Sequence, residues 1–363
     1  MKTRMGVIEG FYGEPWSWEE RDEYAPFLAR HGFSFYIYAP KADPFIRKKW
    51  RDPLPVELEG RLARLSTRCR AAGMQFGLGF SPFEIYLSPF NGAVKEQLKR
   101  RLDAFNRIRV DKLGLLMDDM KGDLPELAKR QIEIVNWAAE RSEASQIIFC
   151  PTYYSFDPVL EKLFGKKPEG YLERLGKELD PKVSVFWTGE LVCSKSYGEE
   201  HLRSVAATLG RKPFLWDNYP VNDGPRMCKF LHLRPVTGRP AGIGEWLDGH
   251  SVNPMNQPTL SKIPLLTLKY SYERGAAYAP DKAFLEAASL VTCADMAARL
   301  QRDLPLFMDR GLDQLSAVEK FCVKKEYAPF LDSRENWSAR ATREIYDWLD
   351  GKYTVTKDLF LTQ

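Results

Sequence analysis

Short runs of apolar and β-branched residues recur along this chain, separated by longer segments whose apolar positions repeat at helical spacing. The runs are Gly6 to Phe11, Phe33 to Ala39, Met74 to Phe80, Leu113 to Met117, Gln146 to Cys150, Val183 to Trp187, Pro213 to Trp216 and Gly242 to Leu247. Between them lie WSWEERDEYAPFLARHG, VELEGRLARLSTRCRAAG, AVKEQLKRRLDAFNRIR and LPELAKRQIEIVNWAAERSE, several closed by Gly or Pro. Eight strands alternating with helices predict an α/β fold, a (β/α)8 TIM barrel. A doubly wound open sheet is the alternative, but nothing like GxGxxG follows the first run. From about residue 284 the helical spacing continues without further strand runs. This predicts a barrel over residues 1–295 and a small helical appendage over 296–363.

Composition narrows the function. The 363 residues carry 53 Lys and Arg against 49 Asp and Glu, a net charge of +4 with no dense basic tract, which gives no reason to expect nucleic acid or an anionic membrane as partner. The opening MKTRMGVIEGFYGEPW has no signal-peptide core, and no window approaches the roughly 20 apolar residues of a membrane span, so the expected location is cytoplasmic. Six cysteines lack CxxC spacing and four histidines stand apart without HxH or HExxH, which argues against a metal-dependent hydrolase; no metal and no cofactor is expected.

A barrel places its active site where the strands end, so the residues following each run matter most. They are EGFYG, YAPKAD, FSPFE, LLMDDM, CPTYY, FWTGE, LWDNYPVND and SVNP. Caps and turns need only Asp, Asn, Gly and Pro; large aromatics accompanied by carboxylates at almost every rim point to a pocket the size of a sugar. The sharpest element is Asp118-Asp119. Neighbouring strand residues face opposite ways, so two adjacent carboxylates share a site only where the strand breaks, as it would after Met117. Such a pair resists simultaneous ionisation and can supply one acid and one base for glycoside hydrolysis. A helix N-cap is the other role open to it. Lys41 also reads as a solvated loop lysine, Tyr154 as rim packing, Trp187 and Trp216 as barrel-top packing, and Asn218, Asp223 and Asn253 as turn residues.

Taken in order, EGFYGEPW, YAPKAD, LLMDD, CPTYY, WTG, LWDN with ND following, and VNP resemble the catalytic domain of glycoside hydrolase family 84, the β-N-acetylglucosaminidases, over residues 5 to about 275. The resemblance implies a retaining reaction in which the substrate's 2-acetamido oxygen is the nucleophile and an oxazoline the intermediate. Asp118 would orient the acetamido N–H, Asp119 would act as general acid and base, and Tyr154 would bind the acetamido oxygen. The Gly10 backbone, Lys41, Asp223 and Asn253 would hold sugar hydroxyls, Asn218 would support the acetamido end, and Trp216 would wall the pocket. The implied partner is a glycan or glycosylated protein bearing N-acetylglucosamine, and in this family C-terminal helices can take part in a homodimer. Three positions depart from the family pattern: Ala42, Phe83 and Tyr153. Alternatives are an endo-acting chitinase- or hyaluronidase-like enzyme and a non-catalytic sugar-binding barrel. Glu9, Glu84, Glu190 and Asp217 are the carboxylates near enough in sequence to rival the pair as nucleophile.

Overall fold

A computed structural model describes residues 3–333 and 337–356. The first two residues of the expected barrel, and residues 334–336 and 357–363 of the expected helical segment, lie outside the described residues. Eight parallel strands close into a barrel in chain order. β1 (Met5–Glu9), β2 (Phe35–Tyr38), β3 (Gln75–Phe80), β4 (Lys112–Leu116), β5 (Gln146–Cys150), β6 (Ser184–Trp187), β7 (Phe214–Asp217) and β8 (Gly249–Val252) each pair with the next, and β1 closes the ring by pairing Gly6 with Phe35 on one side and Ser251 on the other. The connecting helices are α1 (Trp18–Arg30), α2 (Val56–Ala71), α3 (Gly92–Ile108), α4 (Leu127–Ala139), α5 (Val159–Phe164), α6 (Tyr171–Glu178), α7 (Glu199–Leu209) and α8 (Pro258–Arg274). None of the helices among the described residues is long and apolar enough to cross a membrane.

Close packing inside the barrel follows from matching large to small residues. Phe35 and Phe214 meet edge to face at 5.6 Å between ring centroids. The facing positions on β1 and β8 are glycines, and an added Cβ would come within 2.3 Å of the Phe35 ring at Gly6 and 2.5 Å of the Phe214 ring at Gly249. The interior is therefore a filled core and not a pore.

The eighth strand is not where the apolar pattern put it. Residues Ala241–Trp246 form a 3-10 helix, and β8 begins at Gly249. Ile243 and Leu247 are apolar because they pack in a small outer cluster with Leu202 of α7, Tyr197 and Leu215. The true strand, GHSV, buries polar side chains instead: His250 Nε2 lies 3.1 Å from Asp217, and Ser251 Oγ donates to the Leu215 carbonyl at 2.7 Å. Satisfied polar groups can occupy a core position, and hydropathy does not reveal them.

After α8 come α9 (Pro280–Val291), α10 (Ala294–Pro305), α11 (Ala317–Tyr327) and α12 (Ser338–Leu349). Their apolar residues belong to the same continuous core as the barrel. A helix leaves its first N–H groups without intrahelical acceptors, and α8 has those satisfied by α12. The buried Glu344 carboxylate accepts from Thr259 N at 2.7 Å and Leu260 N at 2.8 Å. Glu344→Ala should lower the unfolding free energy by about 1–3 kcal/mol, the cost of leaving buried donors unmatched. A urea midpoint equal to that of the parent protein would show that the cap contributes nothing.

Candidate active site

β4 ends at Leu116, and the chain is held there by two bonds to the end of β5. Met117 N donates to the Cys150 carbonyl at 2.9 Å, and Thr152 Oγ1 donates to the Met117 carbonyl at 2.9 Å. Asp118 follows, and Asp119 then adopts a left-handed backbone with φ of 55°. That conformation is accessible to Asp at modest cost, and it abolishes the alternation that would send the two side chains apart. Both carboxylates consequently face one cation. Lys41 Nζ forms a close ion pair with Asp118 Oδ2 and lies 3.9 Å from Asp119 Oδ2. The Lys41 side chain is 3% exposed and that of Asp118 7%, whereas that of Asp119 is 22% exposed. Asp118 thus faces the floor of the site and Asp119 its mouth.

Two phenols converge on Asp119. Tyr154 OH donates to Oδ1 at 3.2 Å, and Tyr12 OH donates to Oδ2 at 2.6 Å. Sequence reasoning named Gly10 in the EGFYG segment and passed over Tyr12, two residues on. The only sign of it was the density of aromatics after β1. Asp118 Oδ1, by contrast, is buried and accepts no hydrogen bond. A carboxylate oxygen in that condition is costly unless something supplies a donor.

The remaining residues form the far wall. Asn253 Oδ1 accepts from Gly10 N at 3.2 Å, and its amide donates to Asn218 Oδ1 at 3.0 Å. Asn218 Oδ1 also accepts from Trp216 Nε1 at 3.0 Å, and Asn218 Nδ2 donates to the Val192 carbonyl at 2.9 Å. Trp216 packs on Phe186 with 5.1 Å between centroids. Asp223 Oδ2 accepts from Tyr12 N at 2.9 Å. All nine residues singled out from the sequence therefore gather at the C-terminal mouth of the barrel. Trp187 does not join them: it is fully buried and donates to His201 Nε2 at 3.0 Å.

The chain is similar to known proteins. The sequence model of a family described as beta-N-acetylglucosaminidase matches residues 5–307. The chain belongs to that family of glycoside hydrolases. Protein O-GlcNAcase of Rattus norvegicus and of Mus musculus are each 31% identical over 278 residues, covering 74% of this chain. The chain spans about 30% of the length of those relatives. A mutant O-GlcNAc hydrolase from Thermobaculum terrenum superposes with a TM-score of 0.76 and 30% identity, over 96% of this chain and 82% of that one.

As a β-N-acetylglucosaminidase family member, the chain also accounts for its rival carboxylates. Glu9 turns out of the barrel, where it is fully buried and bonded by Arg21 at 2.6 and 2.8 Å. Asp217 is held by Arg239 and His250 and titrates well below the usual carboxylate range: burial, the largest single influence, would raise it, but the charge and hydrogen bonds of Arg239 together with the His250 contact outweigh burial. Glu84 and Glu190 are exposed. Tyr153, one of the three departures, is packing: its hydroxyl donates to the Gly165 carbonyl at 2.6 Å, and its ring fills the space beside Gly122.

Two outcomes follow for measurement. At Gly10 an added Cβ would lie 2.4 Å from the Trp216 ring. Gly10→Ala should displace that wall, lower kcat/KM by about 10- to 100-fold, and lower the melting temperature as well, because overpacking costs about 1–3 kcal/mol of stability. Undiminished kcat/KM would remove Trp216 from the pocket. Burial, reinforced by the charge of Asp119, pushes Asp223 up to about 6 against the Tyr12 N–H that favours its anion. If the anion receives a substrate hydroxyl, kcat/KM should fall as pH drops through 6, and Asp223→Asn should lower activity and erase that limb. An inflection that survives the substitution belongs to another group.

Proposed function

We propose that this site removes terminal β-linked N-acetylglucosamine with retention of configuration, using the substrate's own acetamido oxygen as nucleophile. The observation that carries this reading is Asp118: one oxygen is paired with buried Lys41, the other is buried with no donor. A 2-acetamido N–H is the donor it lacks. Accepting that hydrogen bond increases the nucleophilicity of the acetamido oxygen and fixes its direction toward the anomeric carbon. An intramolecular nucleophile held in this way gains a large proximity advantage.

In the first step the acetamido oxygen bonds to the anomeric carbon as the glycosidic bond breaks. Asp119 gives its proton to the departing oxygen, and Asp118 stabilises the positive charge that grows on the acetamido nitrogen. The oxazoline then opens as water attacks the opposite face of the anomeric carbon and surrenders a proton to Asp119. Two inversions give retention. The greater exposure of Asp119 suits a group that must meet first an aglycone and then water. Tyr154 lies beside the acetamido end, and Trp216 and Asn218 close the pocket around it. The names of the relatives extend the reading to protein-linked O-GlcNAc as the substrate class.

The test is a pair of substrate series. Turnover of aryl N-acetyl-β-glucosaminides should fall progressively as the acetyl group is mono-, di- and trifluorinated, because fluorine withdraws charge from the attacking oxygen. A flat series would point to an enzyme nucleophile. Asp119→Asn should cost on the order of 10²–10⁴ for poor leaving groups and far less for activated aryl ones, whereas Asp118→Asn should slow both alike.

A further inference from the structure

Arg47 follows the 3-10 turn Pro44–Ile46 in the loop after β2 and is 2% exposed. That loop is anchored to the end of β3 by Ser81 N donating to the Ile46 carbonyl at 2.8 Å. The guanidinium lies 5.4 Å from the Phe83 ring centroid and 5.9 Å from that of Tyr12, and its Nη1 reaches Ser81 Oγ at 3.4 Å. It hydrogen-bonds the Tyr12 hydroxyl, and the negative charges acting on it are those of Asp118 and Asp119. Burying a guanidinium is expensive unless nearby charge compensates it. Here Arg47 and Lys41 together face the two aspartates.

We propose that Arg47 is a positioning residue for the acid and base steps: through Tyr12 it commits Asp119 Oδ2 to accepting a hydrogen bond and leaves Oδ1 as the oxygen that carries the transferred proton. The proposal rests on the role given to Asp119 above. Its reasoning is one of donors and acceptors. A guanidinium can only donate and does not lose its proton. A Tyr12 oxygen that accepts from it must turn its own hydrogen elsewhere, and Asp119 Oδ2 stands 2.6 Å away. Oδ2 is also the edge nearest the Lys41 ammonium, at 3.9 Å. A proton therefore resides more favourably on Oδ1. The Tyr154 hydroxyl at that edge makes a longer contact of 3.2 Å, and its hydrogen can turn from donor to bystander as Oδ1 gains and loses the proton. The titratable and charged groups that act on Asp119 are thus Lys41, Tyr12, Tyr154, Asp118, Asp223 and Cys150, with Arg47 acting on Tyr12.

The experiment compares Arg47→Gln, Arg47→Lys, Tyr12→Phe and the double variants, with Asp119→Asn alongside as reference. Arg47→Gln should cost about tenfold on poor leaving groups and much less on an activated aryl glycoside. It should move the alkaline limb of kcat/KM upward by about half to one pH unit, because a carboxyl with less positive charge beside it keeps its proton longer. Arg47→Lys should leave the limb in place while losing rate on poor leaving groups, since an ammonium keeps the charge without the fork. Combined with Tyr12→Phe, either Arg47 substitution should add little to the single Tyr12 loss. Equal losses on both substrates with an unmoved limb, or losses that multiply with those of Tyr12→Phe, would overturn the proposal. Should Arg47→Gln not fold, the Arg47→Lys and Tyr12→Phe pair still decides additivity. If Asp119→Asn itself shows no dependence on the leaving group, the acid assignment fails first; if it does and Arg47→Gln does not, the failure is Arg47's alone.

Discussion

Two carboxylates on neighbouring residues at the end of one strand repel each other, by about 4 kcal/mol at a separation near 4 Å in a medium of intermediate polarity. The ammonium of Lys41, almost wholly withdrawn from water, is what allows Asp118 and Asp119 to face the same space. Much of the surrounding structure serves that contact. Lys41 N donates to the Phe11 carbonyl at 3.2 Å, tying the loop after β2 to the loop after β1. Asp43 caps the following turn by accepting from Phe45 N at 2.8 Å and takes the Tyr38 hydroxyl at the same distance, so the loop carrying the lysine is stiff on both sides.

Several motif residues that look chemical are braces. Thr152 of CPTYY fixes the backbone ahead of Asp118 and is itself held by Gln131 Nε2 at 2.8 Å. Thr188 of WTG donates its N–H to the Tyr154 carbonyl at 3.0 Å. Asn256, beyond VNP, donates to the carbonyls of Tyr12 and Glu14 at 2.9 Å each, and Val355, after α12, packs toward Gly13 in the same loop. The loop after β1 is therefore supported from beyond the eighth strand and from the C-terminal segment together.

Seven strands and the mouth of the barrel were legible because both depend on one-dimensional signals: apolar runs for the strands, and polar-aromatic clusters where those runs stop. β8 was not, since its burial is achieved with His250 and Ser251 and their hydrogen bonds. Arg47 sits in a basic stretch, IRKKW, that reads as a solvated face. Nothing in its neighbours says that one of those cations turns inward while Lys48 and Lys49 do not share its burial. Asn218 and Asn253 were recognisable as polar groups at strand ends, but the bond between them joins residues 35 positions apart and exists only once β7 and β8 are paired. Tyr12 likewise acquires its meaning from a carboxylate 107 residues away.

The left-handed backbone at Asp119 also bears on how such a barrel can change over evolutionary time. Among the small set of residues comfortable at positive φ, Asn and Gly are the natural substitutes for Asp, and both remove the carboxyl group while leaving the turn intact. A glutamate, longer and less tolerant of that backbone, is not an easy replacement acid. Drift at this position thus strips a carboxyl from the barrel mouth without leading away from the fold.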